Sequence, residues 1–185
     1  MDELSLYILD ITMNSVRAGA DDIRIRLEEK GNTLTFTVSD NGCGMTREQV
    51  ERLTDPFFTT RKTRKVGLGI PFLKMIAEQT GGYVEVESRS EKEYPDSHGT
   101  VTRAVFRTDH IDFIPLGNIT DTVVSLIQGS PDTNFLFEHE TEKGCVRLSC
   151  EELRAILGDV SLGEYEVLAW IREYLNENYR EIMQK

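Results

Sequence analysis

Asp40-Asn41-Gly42-Cys43-Gly44-Met45 is the stretch from which the rest of the chain is read. This acidic turn, broken by two glycines, follows the alternating run Leu34-Thr35-Phe36-Thr37-Val38, which has the period of a strand with one buried face. Glycines at 42 and 44 permit positive φ and admit a flat ligand, because no Cβ blocks its approach. A carboxylate fixed at the strand end can then accept a hydrogen bond from an exocyclic amine, which reads as an adenine seat. The same six residues also suit an ordinary surface turn, so their neighbours carry the decision.

Upstream, residues 2–19 have helical periodicity, with Leu4, Ile8 and Ile11 on one side. Asp10, Asn14 and Arg17 recur at spacings of four and three, which stacks an acid, an amide and a guanidinium along one stripe. Between Asp22 and Glu28, Ile23, Ile25 and Leu27 alternate with Arg24 and Arg26, and Gly31-Asn32 marks a tight hairpin into the next strand. The hairpin delivers Asp40 to its far end.

Downstream, Thr46 followed by Glu48-Gln49 predicts a capped short helix to about Leu53. Asp55-Pro56 breaks it, and the basic run Arg61-Lys62-Thr63-Arg64-Lys65 follows. Basic residues gathered in one loop of an acidic protein suit a local anion site, or simply a solvated loop. Gly67-Leu68-Gly69-Ile70-Pro71 then opens an apolar helix to about Thr80, with Pro71 as its first residue and Gly81-Gly82 as its stop. Unpaired N–H groups at such a helix start would cradle phosphate; a hinge before a core helix is the plainer alternative. Residues 83–88 and 100–107 read as two further strands. Helix, hairpin, glycine turn, basic loop, glycine-led helix and strand pair predict an α+β fold, a two-layer sandwich with a mostly antiparallel sheet.

The 185 residues carry a formal charge of -11, which argues against a general nucleic-acid or anionic-membrane binder. No apolar run approaches the roughly 20 residues needed to span a bilayer, and the first residues lack the basic start of a secretory signal, so a cytoplasmic protein is expected. Cys43, Cys145 and Cys150 are odd in number and fit no zinc spacing; His98, His110 and His139 are scattered. Neither set suggests a metal centre or a catalytic triad.

Past Thr108 the character changes. Residues 114–117 look like a linker, 119–128 like a helix, and 135–138 with 146–149 like a strand pair. Ser149 with Glu152, and Ser161 with Glu164, have capping-box spacing ahead of two more helices. We therefore expect a ligand-binding domain over 1–108 and an accessory or partner-binding α/β region over 109–185, with the partner unspecified.

In this order the pieces resemble the GHKL ATPases, the Bergerat-fold group that contains histidine kinases, the gyrase B subunit, mismatch-repair ATPases and anti-sigma serine kinases. The residues that carry the resemblance are Asp10 to Ala20, Asp40 to Met45, Asp55 to Thr60, Gly67 to Ile70 and Gly99 to Thr102. It covers roughly the first 108 residues. It implies a site for ATP or ADP with Mg²⁺, in which Asn14 is the metal ligand and Arg17 contacts phosphate. Asp40 would take the adenine amine, Gly42 and Gly44 would admit the ring, and Thr100 or Thr102 would support the adenine side. Gly67, Leu68 and Gly69 would close over the phosphates, with Lys62 and Lys65 in a short lid.

Asp10 stands where ATP-hydrolysing and serine-kinase relatives place Glu. It would be the catalytic base, slow because it is one methylene shorter. Lys65-Val66 replaces the usual Gly-Thr, which alters the lid. The chain opens on the first-box helix, so self-phosphorylation on histidine is not expected. The resemblance thus implies a slow ATPase acting as a regulatory switch; a serine/threonine kinase and a non-catalytic nucleotide sensor are the alternatives, and a homodimer is left open.

Overall fold

A computed structural model of the chain describes residues 3–53 and 69–184. Helix α1 (Leu4–Arg17) leads into the hairpin β1 (Asp22–Lys30) and β2 (Thr33–Asp40). Then come α2 (Arg47–Leu53), α3 (Gly69–Gln79), β3 (Tyr83–Arg89), β4 (Gly99–Arg107) and α4 (Ile119–Gly129). The strands β5 (Asn134–Thr141) and β6 (Gly144–Ser149) and the helices α5 (Cys150–Leu157) and α6 (Tyr165–Met183) complete the chain.

The six strands form one open sheet in the order β3-β4-β2-β1-β5-β6. Every pairing is antiparallel except β1 with β5, which is parallel. Alternation fixes its two faces. Ile23, Ile25, Leu27, Phe36, Val38, Phe106, Phe135 and Phe137 are all buried and lie on the side covered by helices. Arg24, Arg26, Arg103 and Glu140 alternate with them and are exposed. Phe36 and Phe106, on adjacent strands, stack at 6.0 Å between ring centres. The expected α+β two-layer architecture is what the chain adopts.

Region 109–185 shares this sheet and this core. Phe137 pairs with Ile25 across the parallel ladder, and Val123, Leu126, Ile171 and Leu175 join the same buried apolar cluster as Ile8 and Phe36. The expected linker at 114–117 is tied down: the first-turn amides of α1, Leu4 and Ser5, donate to the carbonyls of Pro115 at 2.9 Å and Leu116 at 2.8 Å. Those N–H groups lack partners inside any helix, so main chain from beyond the apparent boundary supplies them.

Two local expectations change. Helix α3 (Gly69–Gln79) already includes Gly69 and Ile70, so Pro71 is not its first residue. Ser161 does not cap α6, which begins at Tyr165 without a side-chain cap; its hydroxyl accepts from Gly163 N instead, at 3.1 Å, in a tight turn. The other caps form as spaced. Thr46 and Gln49 bond reciprocally at 2.8 and 3.3 Å, and Ser149 Oγ accepts from Glu152 N at 3.3 Å. Among the described residues no helix is long and apolar enough to cross a membrane.

Candidate functional site

The site forms where α1, the end of β2 and the start of α3 meet. The buried side of α1 carries Leu4, Ile8 and Ile11, which holds the helix against the sheet and turns Asp10, Asn14 and Arg17 away from the core. Ser15, one residue beyond Asn14, reaches the sheet. Its Oγ donates to Asp40 Oδ2 at 2.5 Å, and Gly42 N donates to Asp40 Oδ1 at 2.9 Å. Both carboxylate oxygens are therefore oriented by neutral donors, and each keeps lone-pair capacity for a further donor.

The glycine turn is shaped by its neighbours. Gly44 has φ +63, and a Cβ there would lie 1.8 Å from the carbonyl oxygen of Arg89. Gly42 is not in the left-handed region; its constraint is contact, since a Cβ would lie 2.9 Å from that of Ala18. Asn41 is structural, accepting from the amides of Asp21 and Asp22 at 3.1 and 3.0 Å. His98 Nδ1 lies 2.6 Å from Gly42 O, and Ser88 Oγ accepts from Met45 N at 2.8 Å. The turn is thus pinned on both sides.

Across the sheet, Thr100 is the register partner of Asp40 and Thr102 that of Val38. Thr100 Oγ1 lies 2.8 Å from Ser88 Oγ, and Thr102 is buried on the same face. Asp40, Met45, Val86, Ser88 and Thr100 line a cavity of about 810 Å³, within the size range of small-molecule sites.

On the other flank, Arg17 Nη1 donates to Asn14 Oδ1 at 3.0 Å, so the amide oxygen already faces a cation. Asp10 lies against the first turn of α3: a Cβ on Gly69 would fall 1.9 Å from its Oδ2. Only glycine lets the acid and the positive end of that helix approach so closely. Asp10, Asn14, Arg17, Asp40, Gly42, Gly44, Gly69, Thr100 and Thr102 are all placed around this one end of the sheet. Lys62, Lys65, Gly67, Leu68 and the 55–60 stretch lie outside the described residues.

Ser15, Ser88 and His98 were missed by sequence reasoning. Ser15 carried a signal, sitting beside Asn14 at the register that turns inward. Ser88 meets Met45 across 43 residues, and His98 meets Gly42 across 56; no spacing rule links them.

Residues 2–110 match the family model of the histidine kinase-, DNA gyrase B-, and HSP90-like ATPase. The chain is 31% identical over 93 residues to the sensor histidine kinase ZraS of Escherichia coli strain K12, covering 49% of this chain and 20% of that protein. It is 35% identical over 89 residues to the C4-dicarboxylate transport sensor protein DctB of Rhizobium meliloti, covering 46% and 14%. The chain thus spans about a fifth or less of the length of these curated relatives.

Among solved structures, the Aquifex aeolicus MutL ATPase domain complexed with ADP superposes with a TM-score of 0.55 at 12% identity, over 85% of this chain and 69% of that one. That coverage is more than residues 2–110 alone supply, so the likeness in fold runs on into 109–185. A family match over more than half of the chain makes this protein a member of the histidine kinase-, DNA gyrase B- and HSP90-like ATPase family.

Proposed function

We propose that the protein binds ATP with Mg²⁺, hydrolyses it slowly, and acts as a nucleotide-gated switch on a protein partner that meets region 109–185. The observation that carries this reading is the convergence of Asp40, Asn14 and Asp10 on one end of the sheet, with Gly69 against Asp10. Asp40 accepts the adenine amine, with Ser15 and Gly42 N fixing its direction. Gly42 and Gly44 leave the ring room, and Thr100 and Thr102 support it. Asn14, whose Oδ1 accepts from Arg17 here, would hold Mg²⁺, a cation that prefers oxygen ligands and would offset phosphate charge. Arg17, Lys62 and Lys65 offset phosphate charge, and Gly67, Leu68 and Gly69 close over it.

Asp10 holds the position of a general base for a water in line with the terminal phosphate. Its shorter reach than Glu makes the step slow. Helix α1 carries Asp10 and Asn14, and its opposite end is bonded to Pro115 and Leu116, so movement of α1 on nucleotide binding passes directly to 109–185. A kinase reading draws support from the curated relatives, several of which are named as kinases, ZraS as a sensor histidine kinase; a serine/threonine acceptor rests on the sequence resemblance to anti-sigma serine kinases alone.

Incubation with γ-labelled ATP and Mg²⁺ separates the readings. Label in free phosphate, lost in Asp10→Asn while calorimetric ATP binding persists, supports the ATPase. Label transferred to a co-purified protein supports the kinase. Binding without any label release leaves a sensor, and no Mg²⁺-dependent binding overturns all three.

A further inference from the structure

The opposite end of the sheet holds a second cavity, of about 730 Å³, which the nucleotide reading leaves unused. Its floor is a polar relay joining three elements around a buried histidine. His139 of β5, only 2% exposed, places Nε2 2.9 Å from Glu29 Oε1 of β1 and Nδ1 2.8 Å from the Tyr179 hydroxyl of α6. The bond to His139 holds the Glu29 carboxyl below the usual carboxylate range, keeping it anionic, and burial pushes the Tyr179 phenol up, keeping it neutral. Leu116, Ile119 and Ile182 add apolar wall.

Two further carboxylates enter the lining, and both are held by neutral donors. Glu3 Oε2 accepts from Asn118 N and from Ser5 Oγ, each at 3.3 Å. A Cβ on Gly117 would come within 2.1 Å of that same oxygen, so the turn is built around the acid. Glu142 Oε1 accepts from Gly31 N at 3.0 Å. Lys143 is the one opposing lysine or arginine among the described lining residues. The N-terminus of α4 also opens here, but the Asn118 side chain accepts from Asp121 N at 3.0 Å and Asp121 supplies the first-turn charge. Its demand for an anion is met internally.

Three fixed carboxylates and an apolar wall around a concave space favour a cation with an apolar body. The geometry points to a second ligand site, separate from the nucleotide end, for a small alkyl ammonium-type organic cation. The ammonium group lies among Glu3, Glu29 and Glu142, and the chain lies along Leu116 and Ile182. The relay through His139 makes the floor rigid before the ligand arrives, which lowers the ordering cost of binding.

An NMR titration of the ¹⁵N-labelled full chain without nucleotide tests this independently of the ATP reading. Hexylammonium is the probe, with hexan-1-ol and hexanoate as matched controls. Saturable shifts are expected at the Gly31, Asn118 and Lys143 amides, with hexylammonium bound at least about tenfold more tightly than the alcohol, and hexanoate weakest. The double variant Glu3→Gln/Glu142→Gln keeps both acceptor oxygens and should lose that preference. If it does not give a folded spectrum, Lys143→Gln, which removes the opposing charge, should instead tighten hexylammonium binding. Equal binding of the alcohol, tighter binding of hexanoate, no saturable shift, a preference that survives in the double variant, or no tightening in Lys143→Gln would overturn the proposal.

Discussion

A carboxylate stands at each end of the sheet, and the two are held in opposite ways. Asp40 is oriented by a serine hydroxyl and a main-chain N–H and faces a cavity with acceptor capacity to spare. Glu29 is bound to a buried imidazole that is itself bound to a phenol on α6, so its strongest bond closes the last helix onto the sheet. Neutral donors around Asp40 prepare recognition; a buried imidazole tying Glu29 to another element prepares cohesion. Altering Asp40 should therefore cost nucleotide affinity, and breaking the His139 relay should cost stability.

The largest expected effect is on Asp40→Asn. Removing an ionised acceptor and presenting an amide to the adenine amine should weaken ATP binding about a hundredfold, the scale of a hydrogen bond to a charged group, with the thermal midpoint nearly unmoved. Calorimetry beside a melting curve checks both, and unchanged affinity would break the comparison at its nucleotide end.

His139→Leu is the converse. It strips Glu29 and the Tyr179 hydroxyl of their shared partner, at a cost of about 2 kcal/mol in urea unfolding, and should leave ATP affinity as it was. A drop in affinity without a drop in stability would reverse the assignment of the two ends. Ser15→Ala should lie between them: Asp40 keeps its bond from Gly42 N and loses one of two orienting donors, which predicts roughly fivefold weaker ATP binding, about 1 kcal/mol.

The smallest effect is on acid stability. Because the folded-state pKa of Glu29 is depressed by its bond to His139, its contribution is present above the unfolded value, roughly 4.3. It is lost as pH falls through the folded value. Glu29→Gln should therefore flatten the fall in urea midpoint over that acid window. The change should be modest, because the side chain is 47% exposed and solvent screens it. Equal slopes in the two proteins would remove the electrostatic part of the contrast.

Local chemistry made the nucleotide end readable. The Asp10-Asn14-Arg17 stripe and the 40–45 turn each use spacings that a helix or turn imposes on its own residues, so their geometry follows from short-range sequence. The far end could not be read that way. Glu29 and His139 lie 110 residues apart, and His139 and Tyr179 lie 40 apart, so His139 looked like one of three scattered histidines.

The chain's own order of residues determined which segments are helices and strands, where the glycine turn falls and which residue types make up the proposed nucleotide site, because hydrophobic period and backbone freedom act within a few residues. Tertiary structure alone decided that the region past residue 108 continues the sheet, since only packing brings β5 into parallel register with β1 and the 115–116 carbonyls onto the first turn of α1. Strand pairing and the satisfaction of helix-end amides depend on which surfaces meet after collapse, and no periodicity along the sequence records that meeting.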